Sequence, residues 1–144
     1  MMQEHAWKYF ELHSQQRMTV FNFYITIISL LIAGSGICLQ QGGNLIYLTS
    51  ALGIFIIFIT FIFHKLDSRV SFLIKNAEKA LRKAEDNYDN EEMKIFTSDH
   101  NNENLNKTMR SLWSYGKCFR LSFAIISCLG FMISITPMVI NFMG

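Results

Sequence analysis

The chain has 144 residues, enough for one domain, with 13 Lys and Arg against 11 Asp and Glu. A hydrophobic share of 51% also occurs in soluble domains, so the total excludes little. The arrangement excludes far more: no Lys, Arg, Asp or Glu lies between Met18 and Phe63 or between Leu121 and Gly144.

Residues 1–17 are rich in aromatic, His and Gln side chains and hold no Gly or Pro. They read as a helix running into the first apolar segment, with Trp7, Tyr9 and Phe10 near lipid headgroups, the depth such rings prefer. A bilayer core takes about 20 apolar residues per helix. Residues 18–63 hold two such spans, Val20–Leu39 and Leu45–Phe63, split by Gln40-Gln41-Gly42-Gly43-Asn44. The first is too long for the apolar part of a signal peptide, and its polar lead is mixed in charge.

His64–Asn87 is amphipathic, with Leu66, Val70, Leu73, Ala77, Ala80 and Ala84 at spacings of three and four. No breaker separates it from the second span, so one helix is expected from Leu45 to Asn87. Another face carries Lys65, Arg69, Phe72, Asn76, Lys79 and Lys83, flanked by Lys75 and Arg82. A polyanion could bind this basic stripe through many charges at once. The plainer reading is an ordinary solvated face, with Lys65 and Arg69 meeting anionic lipid. Asp86–Glu103 carries six acids against Lys94 alone, plus four Asn, and reads as a solvated connection with at most a helical turn near Glu92–Phe96. Asn104–Lys117 regains helical spacing through Leu105, Met109, Leu112 and Trp113 and is expected to pair antiparallel with the preceding helix. Residues 119–144 form the third span.

The architecture expected is therefore an all-α integral membrane protein: an N-terminal cytoplasmic or interfacial helix (1–17), two spans (18–63), a cytoplasmic helical hairpin (64–118) and a third span (119–144). The loop at 40–44 and the C-terminal end carry no Lys or Arg, whereas eleven lie in or beside 64–120. The positive-inside rule then puts the N-terminus in the cytoplasm and the C-terminus outside an inner, cytoplasmic membrane.

Each span has a polar or small stripe: Asn22, Thr26, Ser29, Ala33, Gly36 and Gln40 in the first; Ser50, Gly53, Ile57, Thr60 and His64 in the second; Ser127, Ser134 and Asn141 in the third. Such stripes serve close helix packing. In a homo-oligomer one stripe could instead face water, since three helices alone leave no room for a channel. The third span is the candidate lining, because its stripe is polar and Pro137 can kink it. With no charge in any span, such a pore would select weakly among ions.

No catalytic constellation is visible, so an enzyme is not expected, and no cofactor is implied. His5, His13, His64 and His100 are scattered, and Cys38, Cys118 and Cys128 lack metal-ligand spacing, so no metal site is expected.

Two stretches carry a resemblance: Trp7–Arg17 followed by Phe21-Asn22-Phe23-Tyr24, and Lys65–Leu81. They resemble small bacterial membrane proteins of anti-phage defence loci, including Hailong-type channel effectors, the two-span SLATT effectors and octameric RipA-like membrane proteins. The resemblance implies a homo-oligomeric, ligand-gated channel whose opening depolarises the infected cell. In the Hailong-type case a nucleotidyltransferase encoded alongside makes a single-stranded DNA oligomer that holds the channel shut. Lys65, Arg69, Lys75, Asn76, Lys79, Arg82 and Lys83 would then contact that DNA oligomer or a nucleotide ligand. The alternative reading is a non-conducting anchor or scaffold whose cytoplasmic hairpin docks a protein partner.

Overall fold

The computed structural model describes residues 2–86, 94–105 and 115–143. These form four helices: α1 (Met2–Gln41), α2 (Leu45–Glu85), α3 (Ile95–Leu105) and α4 (Tyr115–Met143). Three of them, α1, α2 and α4, are long and apolar enough to cross a membrane. No strand occurs among the described residues.

Both expected continuous helices are present. At a rise of 1.5 Å per residue, α1 and α2 are each about 60 Å long, roughly twice the hydrocarbon thickness. Each therefore has an apolar half and a charged half. They are joined by Gly42 and Gly43 at φ +67° and +59°, a left-handed conformation that glycine adopts without a Cβ clash. The turn makes α1 and α2 antiparallel.

Helix α2 is the centre of the bundle, with α1 on one side and α4 on the other. Tyr24 and Ile28 of α1, Ile56 of α2, and Phe119 and Phe123 of α4 form the buried core. Thr60 donates its hydroxyl proton to the Ile56 carbonyl (2.7 Å), so the buried Tyr24 hydroxyl donates to Thr60 (3.0 Å). Phe21 stacks on Phe119 at 4.1 Å, closing α1 on α4.

Lipid gives apolar helices no hydrophobic reason to associate, so close backbone approach must hold α2 to α4. Gly53 and Gly130 supply it. A Cβ on Gly53 would lie 2.5 Å from the Ser134 nitrogen and 2.7 Å from the Gly130 carbonyl oxygen. Ser50 adds a hydrogen bond from its hydroxyl to the Ser134 carbonyl (2.8 Å).

Three expectations need correction. The buried face of the charged half of α2 is Asp67, Ile74, Ala77, Leu81 and Glu85, while Leu66 and Ala80 are exposed. The face is turned because two acids with internal partners belong to it, and a hydrophobicity rule skips them. Next, Trp7 and Phe10, expected near the headgroups, have partners within the protein. They pack on Phe96 of α3, at ring distances of 6.0 and 5.4 Å, beyond the charged half of α2. Last, residues 95–103, read as solvated connection, are helical. Helix α3 has little intrinsic apolar periodicity and is held by those rings and by Glu85. The expected helix at Asn104–Lys117 falls largely on 106–114, outside the described residues, and so does the 87–93 part of the acidic connection.

Candidate ligand face and membrane path

The charged half of α2 presents the basic stripe outward. Lys65, Arg69, Phe72, Lys75, Asn76, Lys79 and Lys83 are exposed, and Arg82 is half-buried. Six of the seven expected ligand residues, all but Arg82, thus stand exposed on one side of a single rod, away from the buried face. The Lys65 ammonium lies 5.6 Å from the Phe61 ring centroid, and Phe72 stands exposed between the charges. Arg82 and Lys83 also sit in the last turn of α2, where the helix dipole favours cations. Of the two acids between Lys65 and Lys83, Asp67 is turned away from the stripe and neutralised elsewhere.

That neutralisation is a feature the sequence reading missed. Arg17 Nε and Nη2 donate to the two Asp67 oxygens at 2.6 and 3.0 Å. The side chains are only 12% and 10% exposed. The guanidinium also lies 4.9 Å from the Phe119 ring centroid. One bidentate pair therefore ties α1, α2 and α4 where the apolar half meets the charged half. Beside it is a cavity of about 60 Å³ lined by Gln16, Val20, Phe63, Val70 and Phe123. The signal was present: Arg17 is the last charge before the first span, and Asp67 is an acid on the apolar side of an amphipathic helix.

Glu85 makes the second missed contact. Its carboxylate accepts from the backbone N–H of Phe96 (3.0 Å) and from the N–H and hydroxyl of Thr97 (2.9 and 2.8 Å). It thereby caps the first turn of α3 from another helix. Burial opposes its ionisation, but these donors outweigh it and hold the carboxyl below its ordinary range. Because the folded value is lowered, the stabilisation is full above the unfolded value of about 4.3. It is lost as pH falls through the folded value. Glu85→Gln should cost α3 about 1 kcal/mol. Amide hydrogen exchange at Phe96 and Thr97 should report the same loss in the unmodified protein on acidification.

The membrane stripes point in different directions. Ser127 and Ser134 are half-buried on the α4 row that also carries Phe123, Gly130 and Pro137, the row packed on α2. The Asn141 side chain lies outside the described residues. The stripe of α2 is likewise taken up within the protomer: Gly53 and Thr60 are buried, and the His64 ring meets Phe123 at 5.6 Å. The stripe of α1 is turned outward. Asn22, Thr26, Ser29, Ala33 and Gln40 are exposed, and Gly36 has open space where a Cβ would stand. Among the described residues no three His, Cys, Asp or Glu side chains converge as metal ligands. Cys38, Cys118 and Cys128 are free thiols.

An outward polar stripe on a membrane-spanning helix is poorly matched to lipid. The sequence matches the octameric membrane protein family, 8xMP, over residues 3–136. The chain belongs to that family. A relative, CD-NTase-associated protein 19 of Escherichia coli, is 58% identical over 134 residues, covering 93% of this chain and 89% of that protein. No solved structure matches. The 8xMP match spans α1 to α3 and most of α4. It bears out the expected all-α, homo-oligomeric membrane architecture and the resemblance to octameric membrane proteins.

Proposed function

We propose that this 8xMP chain is the subunit of a ligand-gated channel effector in a bacterial defence system, opening to depolarise the membrane. The observation that carries the reading is mechanical. The exposed basic stripe and the second span are two halves of one unbroken helix, Leu45–Glu85. A polyanion seated on the stripe would act directly on the apolar half, with no joint to absorb the movement.

Several features support it. Eight copies multiply the six basic residues of 65–83 into a ring of positive charge that a nucleic-acid oligomer or nucleotide could neutralise. The name of the Escherichia coli relative records an association with a CD-NTase, which favours a nucleotidyltransferase partner that supplies such a ligand. The Lys and Arg distribution favours an inner membrane, charged halves in the cytoplasm and the C-terminus outside. The same association also favours a second reading, a non-conducting anchor that docks the nucleotidyltransferase itself. The anchor predicts co-purification without ion flux.

The ligand part is tested by titrating a single-stranded DNA oligonucleotide onto the detergent-solubilised octamer at several salt concentrations. The unmodified protein should bind with a log–log salt slope of about −0.7 per phosphate neutralised. The triple variant Lys79→Glu, Arg82→Glu, Lys83→Glu should lose at least tenfold in affinity and show a shallower slope. Unaltered binding and slope would remove the basic stripe as the sensor.

A further inference from the structure

The outward faces of the three spans differ in chemistry. Between Leu45 and Ile62 the exposed side chains of α2 are Leu, Ile, Phe and Ala, with Tyr47 near the turn. Between Leu121 and Ile140 the fully exposed side chains of α4 include no hydroxyl or amide; the half-buried Ser122 and Thr136 each donate to a carbonyl one turn earlier. Among the described residues helix α1 alone presents a continuous polar outward face: Thr19, Asn22, Thr26, Ser29, Ala33, Gly36 and Gln40, separated by alternating three and four residues. That spacing averages 3.5, so the residues form one straight seam along a helix in left-handed packing. Thr19, Thr26 and Ser29 each donate to a carbonyl one turn earlier, at 3.0, 3.0 and 2.8 Å. Each oxygen keeps lone pairs able to accept from water.

We propose that this seam of the first span faces the common axis of the octamer and lines its aqueous path. The inference rests on the channel reading and names its conduit. Family membership supplies the other copies. Eight helices about 9 Å apart lie on a circle of radius about 12 Å. Subtracting a helix radius of about 5 Å leaves an opening several ångströms in radius, so an axial face meets water rather than another helix. Hydroxyls, small residues and amides suit that position. The Leu, Ile, Phe and Met faces of α2 and α4 suit lipid, where an amide would lack partners. Ser127 and Ser134, turned into α2, are left to packing.

The test is cysteine accessibility in the full-length octamer, with Cys38, Cys118 and Cys128 replaced by Ala and the protein in liposomes. A charged, membrane-impermeant methanethiosulfonate reagent should label Ser29→Cys and Ala33→Cys at least tenfold faster than Ile54→Cys and Met132→Cys. Labelling should also reduce flux. Equal or slower labelling at the seam in an assembled octamer overturns the proposal, whether or not the protein conducts. Fast labelling at the seam in a protein that conducts nothing in any ligand state would sustain the seam's place on a wet axis and remove the channel reading alone.

Discussion

Replacing Asp67 by Leu should destabilise the protein by about 3–5 kcal/mol, the cost of leaving one member of a buried ion pair unpaired. Arg17 would keep its charge in a site that is 12% exposed, facing Phe119 and an apolar cavity. Replacing both partners, Arg17→Met with Asp67→Leu, should recover most of that loss, because no unpaired charge remains. Breaking the exposed Lys8–Glu4 pair should cost only about 0.3–0.5 kcal/mol. Thermal unfolding of the solubilised octamer, followed by helical circular dichroism, measures all three. If the single Asp67 variant unfolded like the unmodified protein, the pair would not be the fastening of α1 to α2.

Gly53→Ala should separate α2 from α4, costing about 3 kcal/mol, the upper end for an overpacked core. The added carbon would meet the backbone of Ser134 and Gly130 at 2.5–2.8 Å, and backbone cannot rotate aside as a side chain can. Gly53→Leu should abolish assembly. Gly36→Ala makes a matched control, since nothing within the protomer lies within 4 Å of its added carbon. The yield of octamer by size-exclusion chromatography distinguishes the two positions. Equal yields for Gly53→Leu and the unmodified protein would mean that α2 and α4 need no close contact.

The spans and the long helices were legible because charge depletion and the absence of breakers are local signals. The turn was legible for the same reason, since Gly42-Gly43 sits between two apolar runs. What escaped were partnerships across the fold. Asp67 and Glu85 look like surface acids until Arg17 and the first turn of α3 are found against them. Helix α3 escaped because its own residues are mostly polar and its hold comes from Phe96 against Trp7 and Phe10. The grouping of Lys65, Arg69, Asn76, Lys79 and Lys83 was legible, because spacing alone fixes which residues share a helix side, and all five are exposed. The direction of each membrane stripe was not legible: spacing groups Ser127 with Ser134, but only the packing against Gly53 shows which way they turn.

The most direct measurement is ion flux from liposomes holding the purified octamer, with and without a single-stranded DNA oligonucleotide. Flux should change at least tenfold on adding the oligonucleotide. The variant carrying Glu at positions 79, 82 and 83 should not respond. No flux from an assembled octamer under either condition would contradict the channel and leave the anchor reading in its place.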